Sequence, residues 1–86
     1  MSAKNTLIKA PPYPVEQAID RLGANLRTAR LRRNLTIEEV GEKIGTGPRA
    51  VSDEEKGKVS TSIAVYTALL WAYDMLGPMV DLADPA

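Results

Sequence analysis

The stretch Leu35–Gly57, LTIEEVGEKIGTGPRAVSDEEKG, reads as two short helices joined by a tight turn. Thr36 is a strong N-cap, and Glu39 three residues later completes a capping box, in which each side chain satisfies the other's orphan N–H. Val40 and Ile44 follow at helical spacing and face a core, with Leu35 stapling the entry. Gly45-Thr46-Gly47-Pro48 then breaks the pattern. Pro48 suits the first turn of a new helix, where its missing donor is no loss. That helix runs to about Lys56 and ends at Gly57. Gly41 and Gly45 permit a close approach and a sharp turn, leaving Val40, Ile44 and Val51 as the shared core. This is helix-turn-helix spacing.

Upstream, Val15, Ala18, Ile19, Leu22, Leu26 and Ala29 recur at intervals of three and four and place a longer helix before the turn. Gly23 inside it marks either a kink or a close packing contact, and Asn34 suits a left-handed stop. Downstream, Ser60-Thr61-Ser62 offers N-caps for a fourth helix with the stripe Ile63, Tyr66, Leu69, Leu70 and Tyr73. Gly77-Pro78 interrupts, and Met79, Val80, Leu82 and Ala83 form a last apolar segment. No stretch reads as a strand, so the expected class is all-α. Residues 1–14 are expected to be an extended N-terminal arm, because Pro11, Pro12 and Pro14 fix φ and remove three donors. Three readings of that arm stand: a loose terminus, a strand paired with a dimer mate, or a basic segment using Lys4 and Lys9 on phosphate. The boundaries that follow are 1–14 for the arm, 15–77 for the helical domain and 78–86 for a C-terminal segment that is a candidate dimer contact.

Composition narrows the chemistry. The 86 residues contain neither Cys nor His, which removes thiolate chemistry, disulfides, and the commonest metal ligand and general base. Asp53-Glu54-Glu55 does not make a metal site, because adjacent helical positions point apart. We therefore expect no enzyme, no metal and no cofactor. No apolar run approaches the roughly 20 residues of a membrane span, and the first residues lack a signal-like apolar stretch, so a cytoplasmic protein is expected. Net charge is zero, from 11 Lys+Arg against 11 Asp+Glu. The signs are segregated, however. Residues 1–58 hold all eleven basic residues against eight acids, and residues 59–86 hold only Asp74, Asp81 and Asp84.

The segment LGANLRTARLRRNLTIEEVGEKIGTGPRAVSDEEKG resembles the Cro/C1-type (Xre-family) helix-turn-helix domain, and the resemblance extends from about Leu22 to Leu76. It implies a compact four- to five-helix, lambda-repressor-like bundle whose third helix reads the DNA major groove, usually as a dimer. The flanks, Pro14-Val15 and MLGPMVDLADP, are similar to those of HipB-like antitoxins, which implies a HipA-like toxin kinase as partner. Arg30 and Glu55 match the pair that bridges the first helix to the end of the third, and we expect a structural ion pair there.

On the recognition helix the resemblance makes Arg49 a reader of guanine and Ser52 a reader of a base edge or phosphate, with Ala50 beside them. Thr46 at the turn, Lys56 and Lys58 after the helix, and Arg27, Arg32 and Arg33 on the first helix are candidate phosphate contacts. Gly47-Pro48, Asp53, Glu54 and Ile37 depart from the family's pattern. Three acids on a helix presented to a duplex are repelled by it, and a Glu at the core-facing position 54 must snorkel, pair with Arg27 or Arg30, or protonate. Tyr66, Leu69 and Leu70 read as core. Trp71, Tyr73, Met75, Met79, Val80 and Leu82 exceed what one small domain buries, which favours a homodimer. The expected function is sequence-specific binding of double-stranded DNA by a transcriptional repressor, in the HipB-like case an antitoxin. The contrasting expectation is a protein-interaction module with the same fold and little DNA affinity.

Overall fold

The computed structural model describes residues 2–85, and the side chains of residues 6–85. Six helices appear in chain order: α1 (Ser2–Lys9), α2 (Tyr13–Arg32), α3 (Ile37–Ile44), α4 (Pro48–Glu55), α5 (Ile63–Ala72) and α6 (Gly77–Val80). There is no strand among the described residues. The architecture is all-α.

Local chemistry sets most of the boundaries. Thr36 caps α3, and the capping box is complete: the Glu39 N–H donates to Thr36 Oγ1 at 3.0 Å and the Thr36 N–H to Glu39 Oε1 at 2.8 Å. Pro48 opens α4 behind Gly47. Ser62 caps α5 through the Val65 N–H, at a longer 3.4 Å. Helices α2 to α5 all stop in one way. Asn34, Gly45, Gly57 and Asp74 take positive φ, and the next N–H reaches back across the last turn: Leu35 to Arg30, Thr46 to Gly41, Lys58 to Asp53 and Met75 to Leu70. These Schellman motifs satisfy carbonyls that the helix ends leave open.

The N-terminal segment differs from the expected extended arm. Residues 2–9 are helical, because all three prolines lie beyond Lys9. Pro12 is the extended residue before α2 (φ −54°, ψ 141°), and Pro14 sits inside the first turn, where it is tolerated. The prolines therefore separate two helices. Leu7 and Ile8 are exposed, and the side chain of Lys4 lies outside the described residues.

The core is Leu26 and Ala29 from α2, Val40 from α3, Val51 from α4, and Tyr66, Leu69 and Tyr73 from α5 and its end. Ile19, Leu22, Leu35, Ile37, Ile44 and Leu70 pack around it. Val15 and Ala18 do not join, although they share the periodic face. Twenty residues make α2 about 30 Å long, whereas α3, α4 and α5 are half that length or less, so the first turns of α2 project past the bundle. Tyr73 is a second correction. It is fully buried rather than surplus apolar surface, and burial pushes its phenol pKa up to about 12.

Candidate nucleic-acid interface

The α3–α4 turn depends on a backbone approach that only glycine allows. A Cβ on Gly41 would meet the Thr46 carbonyl oxygen at 2.9 Å. At the other end of α4, a Cβ on Gly23 would lie 2.5 Å from the Glu54 carbonyl oxygen and 2.9 Å from that of Glu55. Gly23 is thus a packing contact between α2 and α4 and marks no kink; α2 runs unbroken through it.

Arg30 fixes the same junction with charge. Its Nε donates to Glu55 Oε2 at 2.7 Å and its Nη2 to Glu55 Oε1 at 3.0 Å, while Nη1 donates to the Leu35 carbonyl at 2.7 Å. Both side chains are more than nine-tenths buried. The hydrogen bond to Glu55 raises the guanidinium pKa above its ordinary value, against the opposing effect of burial. One side chain therefore ties α2, the entry to α3 and the last residue of α4 together.

With its ends held, α4 divides into two sides. Val51 and Glu54 are buried, and Glu55 turns to Arg30. Arg49 and Lys56 are exposed, and Ser52 and Asp53 half-exposed, at the spacing that puts all four on one outward stripe. Ala50 is half-buried beside the stripe. Lys58 faces Asp53 at 3.6 Å and offsets its charge. The three consecutive acids thus point in three directions: Asp53 outward, Glu54 into the core and Glu55 to Arg30. This corrects the expectation that all three acids lie on the outward side of the helix: only Asp53 does, and it has a lysine against it.

Glu54 meets none of the arginines considered for it, since Arg30 is taken by Glu55 and Leu35 and Arg27 is exposed. It is wholly buried beside the Tyr66 hydroxyl, with no hydrogen bond of good geometry to either carboxyl oxygen. Burial pushes its pKa up to about 8, with the Tyr66 hydroxyl drawing it partway back. Of the three routes open to a core-facing glutamate, the surroundings favour protonation.

The remaining basic residues separate. Arg27 and Arg32 are exposed on α2, and Thr46 is half-buried at the turn, its N–H donated to Gly41. Arg33 is engaged elsewhere. It donates to the carbonyls of Ala29 and Tyr73, both at 2.8 Å, and lies 5.3 Å from the Tyr73 ring centroid. A cation on the open carbonyl at the end of α5 gives Arg33 a structural use beside its expected one on phosphate. Lys43 of α3 sits over Trp71 at 6.0 Å, another contact between distant positions that no local spacing announced.

On the α2–α5–α6 side, Ile19, Leu22, Ile63, Leu70, Met79 and Leu82 line an apolar groove. Ile63, Val80 and Leu82 are each about 70% exposed, and Trp71 and Met75 about half. No helix among the described residues is long and apolar enough to cross a membrane.

In DNA-binding helix-turn-helix domains the second helix of the pair lies in the major groove, and α4 is the second helix of the α3–α4 pair here. No curated protein and no solved structure matches the chain. A family model described as a helix-turn-helix domain matches residues 21–83, from the middle of α2 through α6. The chain belongs to the helix-turn-helix domain family.

Proposed function

We propose that this protein is a sequence-specific DNA-binding transcriptional regulator, a repressor of the Cro/C1 (Xre) type. The observation that supports this most is the outward stripe of α4. Arg49, Ser52 and Lys56 are presented side by side beyond the turn, and none of them contributes to the core. Arg49 has the donor fork for guanine O6 and N7, Ser52 suits a base edge or phosphate, and Lys56 and Lys58 flank the same end. Thr46, Arg27 and Arg32 complete the proposed phosphate set.

The protein acts as a homodimer in this reading, with the exposed apolar groove and the 78–86 segment as the contact. A two-fold pair presents two copies of α4 to a palindromic site. A monomeric mass at micromolar concentration in sedimentation would contradict it. The resemblance to HipB-like antitoxins adds a HipA-like toxin kinase as second partner and a cytoplasmic setting. The exposed Trp71, Val80 and Leu82 also suit a protein-interaction module without DNA affinity. Titration of genomic DNA fragments at two salt concentrations, with Arg49→Ala as control, separates the two. Tight, salt-sensitive, Arg49-dependent binding supports the regulator. No binding at low salt leaves the interaction module.

A further inference from the structure

Glu54 is among the largest wholly buried side chains of the domain, and it lies on the helix proposed to read DNA. Three facts define its surroundings. The buried Tyr66 hydroxyl of α5 is its polar neighbour, but no hydrogen bond of good geometry joins that hydroxyl to either carboxyl oxygen. The Gly23 contact brings the α4 backbone close against α2 at this residue, which leaves no gap between the two helices there. Arg30, the buried cation of the domain, spends all three guanidinium nitrogens on Glu55 and Leu35. An ionised carboxylate in such a place has neither water nor a counter-charge.

We propose that Glu54 sits in the core as the neutral acid, so that the seating of α4 is linked to uptake of one proton and weakens as pH rises. The groups acting on this site are few. Tyr66 faces it from α5, and Asp20 of α2 acts on Tyr66 in turn. Burial and both acids raise the Tyr66 pKa, so the phenol stays neutral throughout the range concerned.

The sign follows from the two end states. In the unfolded chain Glu54 ionises near its ordinary 4.5, while burial in the fold pushes it up to about 8. Between these values the folded domain holds a proton that the unfolded chain has lost. Each unit of rising pH in that window then lowers the folding constant by up to about tenfold, or up to about three thousandfold across it. Above about 8 the folded domain carries the charge as well, and the decline levels off. The device keeps the domain firmest in mild acid and loosens α4 as the medium turns alkaline. It is independent of the DNA-binding proposal, because it is read on the free chain.

The test has two arms. In the first, the folding constant of the full chain is measured by urea unfolding from pH 5 to 9 for the wild type, Glu54→Gln and Glu54→Leu. The ratio of wild type to either variant is expected to fall by up to about tenfold per unit towards pH 8 and then flatten. A ratio that does not change with pH overturns the proposal. The second arm needs no variant. With glutamate side chains labelled at Cδ, an NMR titration of the folded wild type should show one of the six glutamates titrating near 8. All six titrating below pH 6 overturns the proposal, whatever becomes of the substituted chains.

Discussion

The guanidinium of Arg30 grips both oxygens of Glu55, at 2.7 and 3.0 Å, across 25 positions of sequence. The third arm of the same guanidinium holds the Leu35 carbonyl. Orientation of α4 relative to α2 and the α3 entry is thus set by a single planar group. Glu55→Ala leaves that cation buried without its counter-charge, and we expect a loss of about 3–5 kcal/mol in urea unfolding. Arg30→Lys should fall in the same direction, because an ammonium point charge cannot span three acceptors. An Ala variant as stable as the wild type would show that the pair is dispensable.

Gly23→Ala separates helix propensity from packing. In an open helix this change gains roughly 1 kcal/mol. Here the added methyl meets two backbone carbonyls of α4, at 2.5 and 2.9 Å. Backbone cannot swing aside as a side chain can, so a net loss of about 1–3 kcal/mol is expected. A thermal melt checks it, and a raised Tm would count against the close contact.

Two arginines should part company on substitution. Arg49→Ala removes an exposed side chain from the outward stripe, so folding should hold while specific DNA affinity drops by about 1–3 kcal/mol. Arg33→Ala removes two hydrogen bonds to helix carbonyls and the stack on Tyr73. It should cost about 1–2 kcal/mol of stability while changing the affinity of the folded protein little. Unfolding curves and DNA titrations on both variants provide the check.

Asp53→Asn takes the one outward acid from α4 and frees Lys58 from its 3.6 Å partner. Affinity for a DNA duplex should rise severalfold at low ionic strength, and the gain should fade as salt screens the charges. Affinity unchanged at every salt concentration would mean that this stripe does not face phosphate.

Thr36→Ala should lower stability by about 1 kcal/mol, since it removes the hydroxyl that accepts from the Glu39 N–H while the backbone N–H of residue 36 keeps its bond to the Glu39 carboxylate. Ser62→Ala should cost less. The Ser62 bond is 3.4 Å long and has no return contact among the described residues. Parallel urea titrations rank the two.

What could be read along the chain was what local chemistry encodes. The Thr36–Glu39 box, Pro48 at the head of α4, the left-handed stop at Asn34 and the helix end at Gly57 each depend on residues within one turn. The Arg30–Glu55 pairing came from a family likeness rather than from spacing. The missed features depend on distance or on ambiguous patterns. Arg33 finds its partner 40 positions away. Tyr73 reads both as part of the α5 stripe and as surplus apolar surface, because α5, IAVYTALLWA, is apolar on every side. Three clustered prolines suit one extended segment and punctuation between two helices equally well. Glu54 was visibly out of place in the sequence, but only packing shows that no arginine reaches it.

The two sides of α4 have one more consequence. Residues that keep the domain folded, Val51, Glu54 and Glu55, are different from those that face outward, Arg49, Ser52, Asp53 and Lys56. The outward four can be rewritten together with small effect on the core. A library randomised at those positions would search new target preferences on an unchanged scaffold. Descendants of this gene can drift in what they recognise while still folding alike.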